Sequence, residues 1–287
     1  MDDFSVEVPG GRFMVWHRPA AEDSPTAVLV HGLSGNSRWW SRVIEHLPDD
    51  LGVIALDIRG RGLSADAPPP YDLTTISDDV GRALDQLGVP TGIVAGYSMG
   101  GWVAALFGQK QPGRTDRLVL VDGGIPLPRQ PGMEPEEIIN ALVGPSLARL
   151  EMEFDSRQAF VDYWKCHPAF QKHWDNAMEP ALSHELFEEN GRFRVRANPE
   201  AISVGGREIT VGAAPNEAAA ALEVPTHLMV VERGTTDQRP GMIPVRIAEE
   251  VTKANPNITM QYLPAVNHYT VVLGNGCGTV ASAIAAG

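Results

Sequence analysis

Four short, uninterrupted apolar runs punctuate the first part of this chain, at residues 26–30, 53–56, 93–95 and 118–121. Between them lie segments whose apolar residues recur at helical spacing, 39–47 and 76–87, the second stopped by Gly88. Strand-length runs that are apolar on both faces, alternating with helices, call for a parallel sheet covered on both sides. The expected architecture is therefore α/β, a mostly parallel central sheet with helices on both faces. Residues 4–8 and 13–17, separated by Pro9-Gly10-Gly11-Arg12, read as a hairpin ahead of it.

The alternation stops near Ile125 and resumes at residues 226–231, followed by a helix near 243–251, a strand at 258–263 and a final helix. The intervening stretch carries helical patches rich in aromatics, among them Phe160, Tyr163, Trp164, Phe170 and Trp174, separated by Pro and Gly. The expected organisation is a core made of residues 1–125 and 222–287 with a helical cap inserted at 126–221. A cap placed over the carboxyl edge of the sheet would roof any pocket there.

With 36 acidic against 23 basic side chains, a net charge of −13 argues against a nucleic-acid partner, which requires clustered Lys and Arg. No apolar stretch reaches membrane-spanning length, and Asp2 and Asp3 stand where a secretory signal would carry basic residues. The two cysteines, Cys166 and Cys277, form neither a metal-type spacing nor a disulfide framework. The expectation is a cytoplasmic protein, a monomer or small homo-oligomer, with no membrane partner.

The densest chemical signal is Gly96-Tyr97-Ser98-Met99-Gly100-Gly101, between the run at 93–95 and a helical segment. The same residues would suit a plain glycine-rich loop. In a strand–turn–helix context, however, G-x-S-x-G lifts a serine hydroxyl above the sheet at the start of a helix, where negative charge is favoured. A serine needs a base to become a nucleophile. Of the eight histidines, His268 follows the last expected strand and so falls at the same edge as Ser98; His31 ends an earlier strand there.

Taken in order, His31-Gly32, the stretch from Asp57 to Ser64 (DIRGRGLS), Gly96–Gly100 and Asn267-His268 make the chain resemble the α/β-hydrolase fold family over nearly its whole length. That resemblance implies Ser98 as nucleophile, His268 as base and the backbone N–H groups of Leu33 and Met99 as oxyanion hole. His31 and Gly32 would shape the oxyanion loop, and the 57–64 stretch would be structural, although its arginines could line the site. The third triad member has two candidates. The family usually places its acid after the strand at 226–231, where this chain has Gly234, with Asp237 three residues later. Some members take it instead from the end of the preceding strand, here Asp122 in LVLVDGG. Asp122 is the expected acid and Asp237 the alternative.

A serine at the elbow argues against haloalkane dehalogenase and epoxide hydrolase chemistry, which the family performs with aspartate there. The stretch HGLSGNSRWW lacks the Gly-Pro-Gly usual in the carbon–carbon bond hydrolases of the family. What remains is acyl chemistry needing no cofactor or metal; neither a P-loop nor a dinucleotide fingerprint is present. Trp39, Tyr97, Trp164 and Trp174, with His31, are the expected pocket lining, which suggests an apolar, roomy pocket for a hydrophobic ester or lactone. A carbon–carbon bond hydrolase, an acyltransferase or perhydrolase of the same fold, and a non-catalytic ligand-binding homologue are the alternatives.

Overall fold

The expected N-terminal hairpin forms from β1 (Asp2–Val8) and β2 (Gly11–Arg18). It is followed by β3 (Thr26–Val30), the one-turn helix α1 (Ser41–Ile44) and β4 (Gly52–Asp57). Next come α2 (Leu73–Gln86), β5 (Gly92–Tyr97), α3 (Met99–Lys110) and β6 (Thr115–Val121). The computed structural model describes residues 1–128 and 132–286, so residues 129–131 of the expected 126–221 insertion and the last residue of the chain lie outside the described residues.

Between β6 and the next strand of the main sheet lie α4 (Pro135–Leu150), α5 (Arg157–Cys166) and α6 (Glu179–Ser183). A small hairpin of β7 (Leu186–Glu189) and β8 (Arg192–Val195) follows, then α7 (Pro199–Val211) and α8 (Ala213–Ala218). The chain finishes with β9 (Thr226–Arg233), α9 (Val245–Ala254), β10 (Ile258–Asn267), α10 (Thr270–Leu273) and α11 (Cys277–Ala285).

The main sheet has the order β1-β2-β4-β3-β5-β6-β9-β10; β1, β2 and β4 pair antiparallel, and the rest run parallel. Period-two alternation explains why its central strands are apolar throughout. Val28, Val30, Ile54, Leu56, Val94, Leu118 and Leu120 pack on one face with α2 and α3. Ala27, Leu29, Val53, Ala55, Ile93, Val119 and Val121 pack on the other with α1 and α11. β3 has β4 on one side and β5 on the other, so the loops leaving β3 and β5 diverge and open a crevice at the carboxyl edge.

Two local readings change. The helix expected over 39–47 is a 3-10 turn (Ser37–Trp40) and the single turn of α1. Asn36 starts the turn early by accepting the Arg38 N–H at 2.9 Å, and Pro48 disfavours helical backbone in the residue before it. The inserted segment, expected to be helical, also contains the β7–β8 hairpin, whose Asn190-Gly191 corner has both residues at positive φ, the pair of conformations a two-residue turn demands. No helix among the described residues is long and apolar enough to cross a membrane.

Candidate active site

Ser98 connects β5 to α3 with φ +53° and ψ −125°, a region that costs a non-glycine residue on the order of 1–3 kcal/mol. The neighbours hold it there. Its N–H donates to the Val121 carbonyl (2.9 Å) and its own carbonyl accepts from Gly101 N–H (2.8 Å). The turn closes only because Gly100 carries no side chain: a Cβ there would sit 2.1 Å from the Val30 carbonyl oxygen. Met99 is the first residue of α3, so its N–H has no acceptor within the helix. The loop after β3 lies against the serine; a Cβ on Gly32 would stand 3.0 Å from Ser98 Cβ.

His268 follows the last residue of β10, and its Nδ1 bonds to Asp122 Oδ2 at 2.6 Å. The Asp122 carboxylate is fully buried just past the end of β6, with its own N–H donating to the Met229 carbonyl at 2.8 Å. Tyr97 fixes the histidine loop from below: its hydroxyl donates to the His268 carbonyl at 2.8 Å. Burial pushes the Tyr97 phenol well up, so it stays protonated and remains a donor. His268 and Ser98 face one cavity; in this geometry Ser98 Oγ and His268 Nε2 form no hydrogen bond, as is common before a substrate tightens such a pair.

Asp237 has different partners. It accepts from Arg233 Nη1 at 3.1 Å and from Asn267 Nδ2 at 3.1 Å. Asn267 also donates to the Ala169 carbonyl (2.9 Å) and accepts from the N–H groups of Tyr269 (3.0 Å) and Thr270 (2.9 Å). Asp237 thus ties the histidine loop to the inserted segment through Asn267; its carboxylate faces His173 Nε2 at 3.6 Å and is not on the His268 imidazole.

The cavity at Ser98 is about 60 Å³, the space of roughly two waters and far below the ~300 Å³ at the small end of ligand pockets. Among the described residues, the space at Ser98 is thus narrow where the aromatic content had suggested a roomy pocket. Leu142 and Ser146 of α4 and Ile209 of α7 come down over the serine, beside Trp39, Tyr97 and Tyr269. Ser146 Oγ donates to Ser34 Oγ at 3.1 Å, joining α4 to the loop after β3. A larger cavity, about 740 Å³, lies between Pro126–Pro128 and the α7–α8 corner and includes none of Ser98, His268 or Asp122.

Of the expected lining residues, Trp39 and Tyr97 reach the cavity; His31, Trp164 and Trp174 do not. His31 is buried, its Nε2 accepting the Ile58 N–H (3.2 Å) while Nδ1 donates to the Gly32 carbonyl (2.7 Å). Trp164 stands behind the cavity wall, supporting Trp39 and Tyr269 at centroid distances of 6.5 and 5.9 Å. Trp174 lies at the surface, with Nε1 donating to Asn176 Oδ1 and Lys165 Nζ over its ring. The arginines of the 57–64 stretch are inward-facing as well. Arg59 pairs bidentately with Asp79 (2.6 and 2.8 Å), and Arg61 is fully enclosed. Among the described residues, no group of three or more His, Cys, Asp or Glu could hold a metal ion.

His31 gives a pH prediction. Burial, partly opposed by Asp57, pushes its imidazole down to about 4. As pH falls from about 6.5, the unfolded chain takes up this proton first, so stability is lost on acidification toward pH 4, by about 3 kcal/mol in full. Urea unfolding between pH 7 and 5 should show a falling midpoint in the wild type and a shallower fall in His31→Asn.

The comparisons with known proteins agree with this architecture. A family model described as the alpha/beta hydrolase family matches residues 27–282. The acetyltransferase component of the acetoin cleaving system of Pseudomonas putida is 37% identical over 112 residues, 39% of this chain and 30% of that protein. The chain spans between 30% and 61% of the length of such curated relatives. Among solved structures, E-2-(acetamidomethylene)succinate hydrolase superposes with a TM-score of 0.77 at 19% identity, covering 95% of this chain and 94% of that one. A thermophilic esterase from Thermogutta terrifontis superposes with a TM-score of 0.69 at 20% identity, covering 99% and 97%. With the family model matching most of its length and the parallel sheet carrying a serine elbow, the chain belongs to the alpha/beta hydrolase family.

Proposed function

We propose that the chain is a serine hydrolase that cleaves a carboxylic ester or lactone of a neutral, hydrophobic small molecule through an acyl-enzyme. The observation that carries this reading is the 2.6 Å bond between a fully buried Asp122 and His268, beside the cavity that holds Ser98. Asp122 orients the imidazole with its proton on Nδ1, leaving Nε2 to take the proton of Ser98 Oγ as that oxygen attacks the carbonyl. The Met99 and Leu33 N–H groups then hold the oxyanion, with the α3 N-terminus behind them. His268 returns the proton to the leaving alkoxide, and a water activated by the same base releases the acid and frees Ser98.

No Lys, Arg, Asp or Glu among the described residues lines the cavity, which supports a neutral substrate. Its volume supports a compact group at the acyl position, because anything larger must displace Leu142 or Ile209. The same two side chains support residues 126–221 as a cap over the core. Purified protein should release p-nitrophenol from acetyl and propionyl esters faster than from octanoyl esters, and should open small lactones. Release from none of these, under conditions where the protein is folded, would overturn the reading.

A further inference from the structure

A buried guanidinium normally has a carboxylate beside it, as Arg59 has Asp79. Arg61, the residue two further on, has none among the described residues. Its side chain is fully buried and each of its nitrogens ends on a backbone carbonyl: Nε on Leu33 (3.0 Å), Nη1 on Arg59 (3.0 Å) and Nη2 on Ala201 (2.6 Å). Nη2 also lies 3.8 Å from Met99 Sδ. One side chain therefore joins the loop after β3, the loop after β4, helix α7 and the start of α3. Leu33 and Met99, the residues whose N–H groups would hold the oxyanion, are two of its contacts.

A second observation locates the same junction from the other side. A Cβ on Gly205 of α7 would stand 2.6 Å from Met99 Sδ, 2.8 Å from Arg61 Nη2 and 2.9 Å from Leu33 Cδ1. Helix α7 is thus seated directly on the two oxyanion residues and on the arginine that links them.

We propose that Arg61 is a positioning residue for the oxyanion hole, holding the Leu33 backbone and α7 in register and placing an unpaired positive charge behind the developing oxyanion. This rests on the serine hydrolase reading above. Its hydrogen bond to the Leu33 carbonyl fixes the peptide plane next to the one that carries the Leu33 N–H. The charge reaches the oxyanion through protein rather than water, where its effect is least screened. Such a field matters little to a neutral ester and much to the tetrahedral anion, so its loss should appear in the chemical step.

The test measures kcat and KM on p-nitrophenyl acetate, and the inhibition constant of a trifluoromethyl ketone, for wild type, Arg61→Met, Arg61→Lys and Gly205→Ala. Arg61→Met should lower kcat about 10²-fold with KM within about threefold, and weaken the ketone, which binds as an oxyanion, by a similar factor. Arg61→Lys should recover part of that loss, since it keeps the charge but not the three-way bonding. Gly205→Ala, which favours the helix yet crowds the junction, should lower kcat in the same direction. A folded Arg61→Met with kcat within threefold of wild type overturns the proposal, as does a loss shared equally by kcat, 1/KM and thermal stability without recovery by lysine. Should Arg61→Met fail to fold, unchanged kcat in both other variants overturns it. A wild type that neither turns over esters nor takes a fluorophosphonate on Ser98 overturns the hydrolase reading and this inference with it. An active, labelled wild type with unaffected variants overturns the inference alone.

Discussion

Ser98→Ala should lower ester turnover by about 10⁶-fold in kcat, the size of loss seen when the nucleophile of such a constellation is removed. The reason is local. Ser98 is the one hydroxyl held at φ +53° at the head of α3 and facing the cavity shared with His268. Of the other aliphatic hydroxyls on that cavity, Ser34 and Ser146 bond to each other and Thr235 lies in the loop beyond β9; the Tyr97 phenol is held by the His268 carbonyl. Alanine removes one oxygen without disturbing the Val121 and Gly101 hydrogen bonds, which use only backbone atoms. The folded state should therefore survive. Relief of the strained backbone is not expected either, because alanine pays the same steric cost at positive φ. Stopped assays on p-nitrophenyl acetate with equal amounts of folded wild type and variant would measure the ratio. Retention of more than about a thousandth of the activity would move the nucleophile elsewhere.

The second large effect separates the two candidate acids. Asp122→Asn should lower kcat about 10⁴-fold, whereas Asp237→Asn should stay within a few-fold. An asparagine at 122 can offer its NH₂ to His268 Nδ1, which places the imidazole proton on Nε2, where it cannot accept from Ser98. It also removes the buried negative charge that, in the proposed cycle, would stabilise the imidazolium. At position 237, asparagine can still accept the hydrogen bond from Asn267 through its side-chain oxygen. What it loses is the charge that faces Arg233 at 3.1 Å and His173 Nε2 at 3.6 Å, both partners about a third exposed (31% and 30%); pairs of that kind contribute about 0–1 kcal/mol. Steady-state kinetics of the two variants side by side, with circular dichroism to confirm folding, decides between them. A severe loss in Asp237→Asn with a near-normal Asp122→Asn would reverse the assignment.

These contrasts show what kind of information the chain carries in one dimension. The central strands were legible because each is apolar on both faces, and the serine elbow because Gly100 must lie against the Val30 carbonyl and Gly96 against the Gly100 backbone. His268 was legible because it follows a strand. Asp122 was the expected acid, but what separates it from Asp237 is the sheet order β6-β9-β10 and which carboxylate Arg233 and Asn267 engage. Neither relation leaves a mark in local sequence.

The pocket was the least legible part, and for a physical reason. An aromatic side chain in an inserted segment can serve a ligand or the segment's own core, and composition treats the two alike. Trp164 went to the core, packed among Phe160, Phe170 and Tyr269. Trp174 stayed at the surface. The residues that narrow the cavity are Leu142 and Ile209, ordinary aliphatics on α4 and α7, whose role follows only from how those helices fold back over Ser98. Arg61 was visible in the sequence, but a buried guanidinium without a carboxylate is a three-dimensional fact.

The proposed chemistry stands or falls on Ser98 being an activated nucleophile. Its most direct test is to treat the purified, folded protein with an alkyl fluorophosphonate, read the intact mass, and map the modified peptide. One adduct per chain is expected, on Ser98, formed at a rate that drops sharply in Asp122→Asn. An unmodified protein, or an adduct on any other residue, would contradict it.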